Sequence, residues 1–248
     1  MTPGSDLGQV FIGWDVGGWN CDKNPTSRDA LVVLNAAGEK LGQPWRGNLR
    51  QTINAATTAA DFITAILSLC KLPAPGTPKA CMAIDAPLGF PAAFGALISG
   101  GKIETEIGQS AANPYLYRAT ERRLVAEGVT PLSAVKDMIG SQSTKAMHAV
   151  ARYTKPIDPG VWSDGVHLTM IETYPALCRS RARSTFNDLA TATTAREGDI
   201  LDAEVCAQIA RAFVQRPEWL EPPPPDVPTS EGWIWAPQPQ SPRNEVQV

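Results

Sequence analysis

The sequence predicts an α/β fold built on a single mixed sheet with helices on both faces. Three observations point there. Strand-like runs follow one another closely at 9–14, 29–35 and 41–47. A helical pattern separates them from a fourth strand-like run at 79–85. A long helical stretch then leads to a fifth run at 166–175, and a last helix follows it.

Gln9 to Trp14 is apolar almost throughout, as a strand buried on both faces is. "DALVVLN", Asp29 to Asn35, is a second strand, and "AAGEK" after it reads as a turn. "LGQPWRG", Leu41 to Gly47, is a third; Pro44 cannot donate to a ladder, which places this strand near an edge. The short connections make these three an antiparallel meander. Asn54 to Lys71 predicts one helix, with Phe62, Ile66 and Leu69 at helical spacing. "KACMAID", Lys79 to Asp85, is a strand that Pro87 and Pro91 bring to an end.

Pro91 to Arg152 reads as helical, with one polar loop near Gly100 to Asn113. Within it Ser143, Lys145 and His148 read as ordinary surface. "VHLTMIETYP", Val166 to Pro175, alternates as a strand does, and Asp199 to Gln215 is the closing helix. From Pro217 the chain is proline-dense, with "EPPPPDVP" predicting an extended tail that Trp219, Trp233 and Trp235 would pin to the body. The expected organisation is one domain over 9–216 with a helical insertion over about 91–152, and a tail over 217–248 packing on it.

Composition narrows the function. Lys and Arg number 22 against 25 Asp and Glu, a net charge of −3 that excludes the strongly basic class of non-specific nucleic-acid binders. Five scattered cysteines without a CxxC, and two histidines, speak against a zinc site or a disulfide framework. The start "MTPGSDLGQ" does not read as a signal peptide, and no apolar run is long enough for a bilayer, so a cytoplasmic protein without membrane contact is expected. Oligomeric state has no signal in the sequence.

The carboxylates carry the chemistry. Asp15 and Asp85 each end an apolar strand, and Glu172 lies in the fifth. Asp199 and Asp202 open the last helix on the stripe continued by Cys206, Ile209 and Phe213, which faces the sheet. Plainer roles compete: a turn aspartate before Gly17 and Gly18, a strand-end cap at Asp85, a solvent-facing Glu172, an N-cap at Asp199 and a dipole partner at Asp202. Clustered acids repel, and a divalent cation removes that cost; Mg²⁺ and Mn²⁺ prefer such oxygens and support phosphodiester hydrolysis.

The element order is the layout of the RNase H-like fold. "GWDVGG", "AIDAPLGFP", "YRATERRL", "MIETYPA", "DILDA" and "EGWIWAP" together resemble a family of predicted nucleases in that superfamily. "DILDA" also resembles the closing D-x-x-D-A of RuvC-type resolvases. The resemblance implies that Asp15, Asp85 and Asp202 ligate Mg²⁺ or Mn²⁺, with Asp199 and Glu172 beside them, and that nucleic acid is the substrate. The fourth-strand acid of resolvases is typically Glu, whereas Asp85 stands here. Arg118, Glu121 and Arg122 share a helical face, which fits either phosphate contact or a solvated salt-bridged surface; the resemblance favours substrate binding. An actin-like small-molecule kinase and a non-catalytic RNase H-like binding module are the rival readings. The first needs a second meander that the sequence lacks, and the second sits poorly with intact acids.

Overall fold

The computed structural model describes residues 8–72, 76–181 and 195–239. Its strands are β1 (Gln9–Asp15), β2 (Asp29–Leu34), β3 (Lys40–Gly47), β4 (Lys79–Asp85), β5 (Lys155–Asp158), β6 (Val161–Ser163) and β7 (Leu168–Glu172). The helices are α1 (Arg50–Ala55), α2 (Ala59–Leu69), α3 (Ala92–Gly100), α4 (Ala119–Ala126), α5 (Gly140–Tyr153), α6 (Pro175–Arg181) and α7 (Ala195–Gln215). The strands form one mixed sheet in the order β3-β2-β1-β4-β7-β6-β5. The pairs β1–β2 and β2–β3 are antiparallel, β1–β4 and β4–β7 are parallel, and β5–β6–β7 is an antiparallel edge.

Strand alternation sorts the apolar residues into two cores. Val10, Ile12, Trp14, Met82, Ile84 and Met170 pack beneath α1, α2 and α5, against Phe62, Ile66 and Ala149. Phe11, Ala83 and Ile171 pack beneath α7, against Ala203, Cys206 and Ile209. Full burial of each large side chain contributes about 1.5–3 kcal/mol, which is why this central sheet holds the fold. Gly13 sets the height of α7: a Cβ there would lie 1.7 Å from the Ala203 carbonyl oxygen. The helix backbone therefore rests directly on β1, and any larger residue at 13 would lift it.

Several elements differ from the sequence reading. The helix expected over 54–71 is two, α1 and α2. Thr58 is extended and caps α2: its hydroxyl accepts from the Asp61 N–H at 3.1 Å, and the Asp61 carboxylate accepts from the Thr58 N–H at 3.0 Å. The two further strands expected after the meander are four, because the hairpin β5–β6 extends the sheet. Pro175 opens α6 rather than closing a strand, and β7 ends at Glu172. The helical stretch over 91–152 contains a second irregular segment, 127–139. Ser143 and Lys145 are fully buried, not surface. The last helix begins at Ala195, a turn before Asp199.

Beyond α7 the chain makes two short 3₁₀ turns, Pro217–Trp219 and Thr229–Glu231. It then runs beside β7, with a parallel bridge between Glu172 and Ile234 and a Trp235 N–H donated to the Glu172 carbonyl at 2.9 Å. Trp233 and Trp235 are buried; Trp219 is 45% exposed, and its carbonyl ties the tail, accepting from the Gln238 N–H at 2.9 Å. No helix among the described residues is long and apolar enough to cross a membrane.

Candidate active site

Asp15 and Asp85 are register partners across the parallel pair β1–β4. Paired residues on parallel neighbours share a face, so both acids belong to the α7 side, at the C-terminal ends of their strands. They line a pocket of about 220 Å³ together with Ser27, Gln142, Glu172 and Tyr174. Every fully buried side-chain polar atom among the described residues has a hydrogen-bond partner. Asp15 and Asp85 have none among the described residues, so their oxygens open onto the pocket.

Holding charge there is costly. Burial, and then the charges of Asp85, Asp199, Asp202 and Asp29, raise the Asp15 carboxyl well above its ordinary value. Burial, with Asp202 and Glu172 adding to it and Arg179 opposing, pushes Asp85 up to about 8. A hard oxygen-donor pair that lacks compensation is the chemistry Mg²⁺ or Mn²⁺ takes. Asp202, the third acid in range, is ion-paired with Arg179 at 2.5 Å and partly exposed. Among the described residues no three of His, Cys, Asp and Glu stand together closely enough to hold a metal ion.

Glu172 and Arg118 line the same pocket and are paired with each other. Glu172 is buried, and both its oxygens are engaged. Oε1 accepts from Arg118 Nη2 at 2.6 Å, and Oε2 accepts from Arg118 Nη1 and the Leu88 N–H, each at 2.8 Å. Arg118 is the residue before α4, not a member of its surface. All five of its N–H groups find acceptors: Nε and Nη2 reach Glu121, Nη1 and Nη2 reach Glu172, and Nη1 reaches the Glu231 carbonyl. No donor is left for a phosphate. Burial opposes the guanidinium charge, but Glu121 and Glu172 hold its pKa above the ordinary value. Arg122 does not join this face; it is exposed and donates to the Tyr117 carbonyl at 2.8 Å. Gly232 carries the tail across the Arg118–Glu172 pair at φ +76°, with little room for a side chain.

Asp199 is not an N-cap. It lies in the second turn of α7, where its carboxylate accepts from Arg46 Nε at 2.6 Å and from the Arg28 N–H at 3.1 Å.

No protein-family model, curated protein or solved structure matches the chain.

The sequence reading missed the group that fixes the Asp15 loop. Asp29 accepts from Trp14 Nε1 at 3.1 Å, from the Gly17 N–H at 2.9 Å and from the Leu49 N–H at 2.6 Å, and it is ion-paired with Lys145. Both side chains are fully buried. Burial raises the Asp29 carboxyl, while Lys145 and the N–H donors hold it down. Lys145 also donates to Asn48 Oδ1 at 3.0 Å and to the Gly17 carbonyl at 3.3 Å. The available signal was Asp29 itself, a carboxylate opening the wholly buried run of β2 and so in need of a cation.

Proposed function

We propose that this protein is a divalent-metal-dependent phosphodiesterase acting on nucleic acid, built on an RNase H-like scaffold. The observation that carries the reading is the in-register pair Asp15 and Asp85, two carboxylates in one pocket without a hydrogen-bond partner among the described residues. The strand order supports the scaffold: an antiparallel meander whose first strand is followed outward by two parallel ones. The sequence resemblance to predicted nucleases points the same way.

Asp15 and Asp85 would hold Mg²⁺ or Mn²⁺, with Asp202 a third donor once parted from Arg179. When bound, such an ion supplies Lewis-acid polarisation of a phosphodiester and a nucleophilic water at neutral pH. The remaining groups position. Asp29 and Lys145 hold the 16–18 loop, and with it the end of β1. Glu172, clamped by Arg118, ties the end of β7 to the Leu88 backbone, which fixes the chain leaving Asp85. Arg118 has no N–H left for substrate, and both Glu172 oxygens are held by Arg118 and Leu88, so both serve as positioning residues.

The test is hydrolysis of a generic phosphodiester, bis-p-nitrophenyl phosphate, with Mn²⁺. Wild type should turn it over, and Asp85→Asn should lower the rate by about 10²–10³, the equivalent of about 3–4 kcal/mol of transition-state stabilisation. Equal rates would overturn the assignment.

A further inference from the structure

A second pocket, of about 300 Å³, opens beside the edge strand β3 and is lined by Arg28, Pro44, Trp45, Arg46 and Arg196. It inverts the local charge of a chain whose net charge is −3. Three guanidinium groups gather there against one carboxylate, Asp199, which accepts from both Arg46 Nε and the Arg28 N–H.

The arginines have capacity left. Arg46 is 11% exposed; it uses Nε on Asp199 and Nη2 on the Pro25 carbonyl at 3.4 Å, and its Nη1 finds no acceptor among the described residues. Arg28 gives Nε and Nη2 to the carbonyls of Asn24 and Asp22. Arg196, on the first turn of α7, is exposed and makes no ion pair among the described residues. Asp199 thus pairs with one guanidinium, Arg46, and anchors the Arg28 backbone, leaving the cluster net positive. Pro44 and Trp45 add an apolar wall.

The pocket adjoins the acidic one. Ser27 lines the carboxylate pocket and Arg28 lines the basic one, so a single peptide step separates them. Asp199 holds the basic side of this junction, accepting from Arg46 Nε and from the Arg28 N–H. Fixed guanidinium groups recognise phosphate oxygens, and an aromatic wall suits a base or sugar. A flexible strand can place one phosphate at the carboxylates and a neighbouring one at the arginines.

We infer that Arg28, Arg46 and Arg196 form a phosphate subsite that seats a single-stranded nucleic acid next to the Asp15–Asp85 pocket. The inference rests on the hydrolytic reading above, and its test separates the two. Binding of a fluorescein-labelled oligodeoxythymidylate to the full chain is followed by anisotropy in EDTA across a salt series, so that no turnover is needed. Single strands lose about 0.7 in the log–log salt slope for each phosphate contact. Arg28→Gln with Arg196→Gln should therefore flatten the slope by about 1.4 and weaken binding at about 50 mM salt by at least tenfold. Arg196→Glu alone, which breaks no ion pair among the described residues, should weaken binding in the same direction. Arg216→Gln, about 30 Å away along α7, should leave it unchanged. Wild-type-like binding by the double variant and by Arg196→Glu would overturn the subsite and leave the hydrolytic reading standing. Wild type that binds no oligonucleotide in EDTA would likewise overturn the subsite, whereas the hydrolytic reading stands or falls on turnover with Mn²⁺.

Discussion

Asp15 and Asp85 stand opposite one another in register on parallel neighbouring strands, and neither has a hydrogen-bond partner among the described residues. The metal-free protein holds two acids where burial and mutual repulsion disfavour charge. The folded pKa of Asp85, about 8, lies above the ordinary value of 3.8. Below that ordinary value both folded and unfolded chains carry the proton, and nothing is lost. As pH rises, the unfolded chain ionises first, so this site's contribution to stability falls through the window between the two values. Asp85→Asn removes that loss. The melting-temperature difference between variant and wild type should be near zero at about pH 4 and favour the variant by about 3 °C or more at about pH 8, where each kcal/mol is worth about 2–4 °C. A variant that melts lower than wild type at both pH values would make Asp85 a strand-end cap.

A divalent cation should reverse the same effect. At about pH 8, Mn²⁺ at a hundredfold its dissociation constant adds about 2.7 kcal/mol to wild type. Differential scanning fluorimetry should show that rise in wild type and little of it in Asp15→Asn or Asp85→Asn. An equal rise in all three would place the ion elsewhere.

Arg118 stabilises two buried carboxylates at once, Glu121 and Glu172. Arg118→Met leaves both without a cation, and breaking such a buried pair costs about 3–5 kcal/mol. The melting temperature should drop by about 6 °C or more. Adding Glu172→Gln should restore part of the loss, since one stranded charge is gone. A single variant that melts within about 2 °C of wild type would show that the pair carries no such burden.

The two aspartates of α7 should separate by readout. Asp199 and Arg46 are almost buried, so Asp199→Asn loses a charge-assisted bond worth about 1.5–3 kcal/mol. Asp202 and Arg179 are over 30% exposed, and Asp202→Asn should cost at most about 1 kcal/mol. With saturating Mn²⁺ the order reverses: Asp202→Asn should lose about 10²–10³ in rate, and Asp199→Asn less. If Asp199→Asn is the inactive one, the third donor lies one turn nearer the start of the helix.

The central strands were legible because each is an apolar run that stops at a carboxylate or a turn. β1 and β4 were read to within one residue of their ends, and Asp15 and Asp85 with them. The β5–β6 hairpin was not. All four residues of β5 are exposed, so its pairing leaves no apolar pattern. The start of α7 was obscured by the polar run "REGD", which caps and continues a helix equally well. Lys145 looked like surface because lysine is rarely buried unless paired, and its partner Asp29 is 116 residues away. Arg118 read as one helical face with Glu121 and Arg122, but the groups that bury it, Glu172 and Glu231, lie 54 and 113 residues further along. Local spacing carries caps and faces; it does not carry which distant charge arrives.

The central claim is most directly tested by incubating the full-length protein with Mn²⁺ and end-labelled single-stranded, duplex, RNA–DNA hybrid and branched nucleic acids, in parallel with Asp85→Asn. Wild type should cleave at least one of them, with single-stranded regions preferred, and both EDTA and Asp85→Asn should abolish the cleavage. No cleavage of any substrate by wild type, or equal cleavage by Asp85→Asn, would contradict the account.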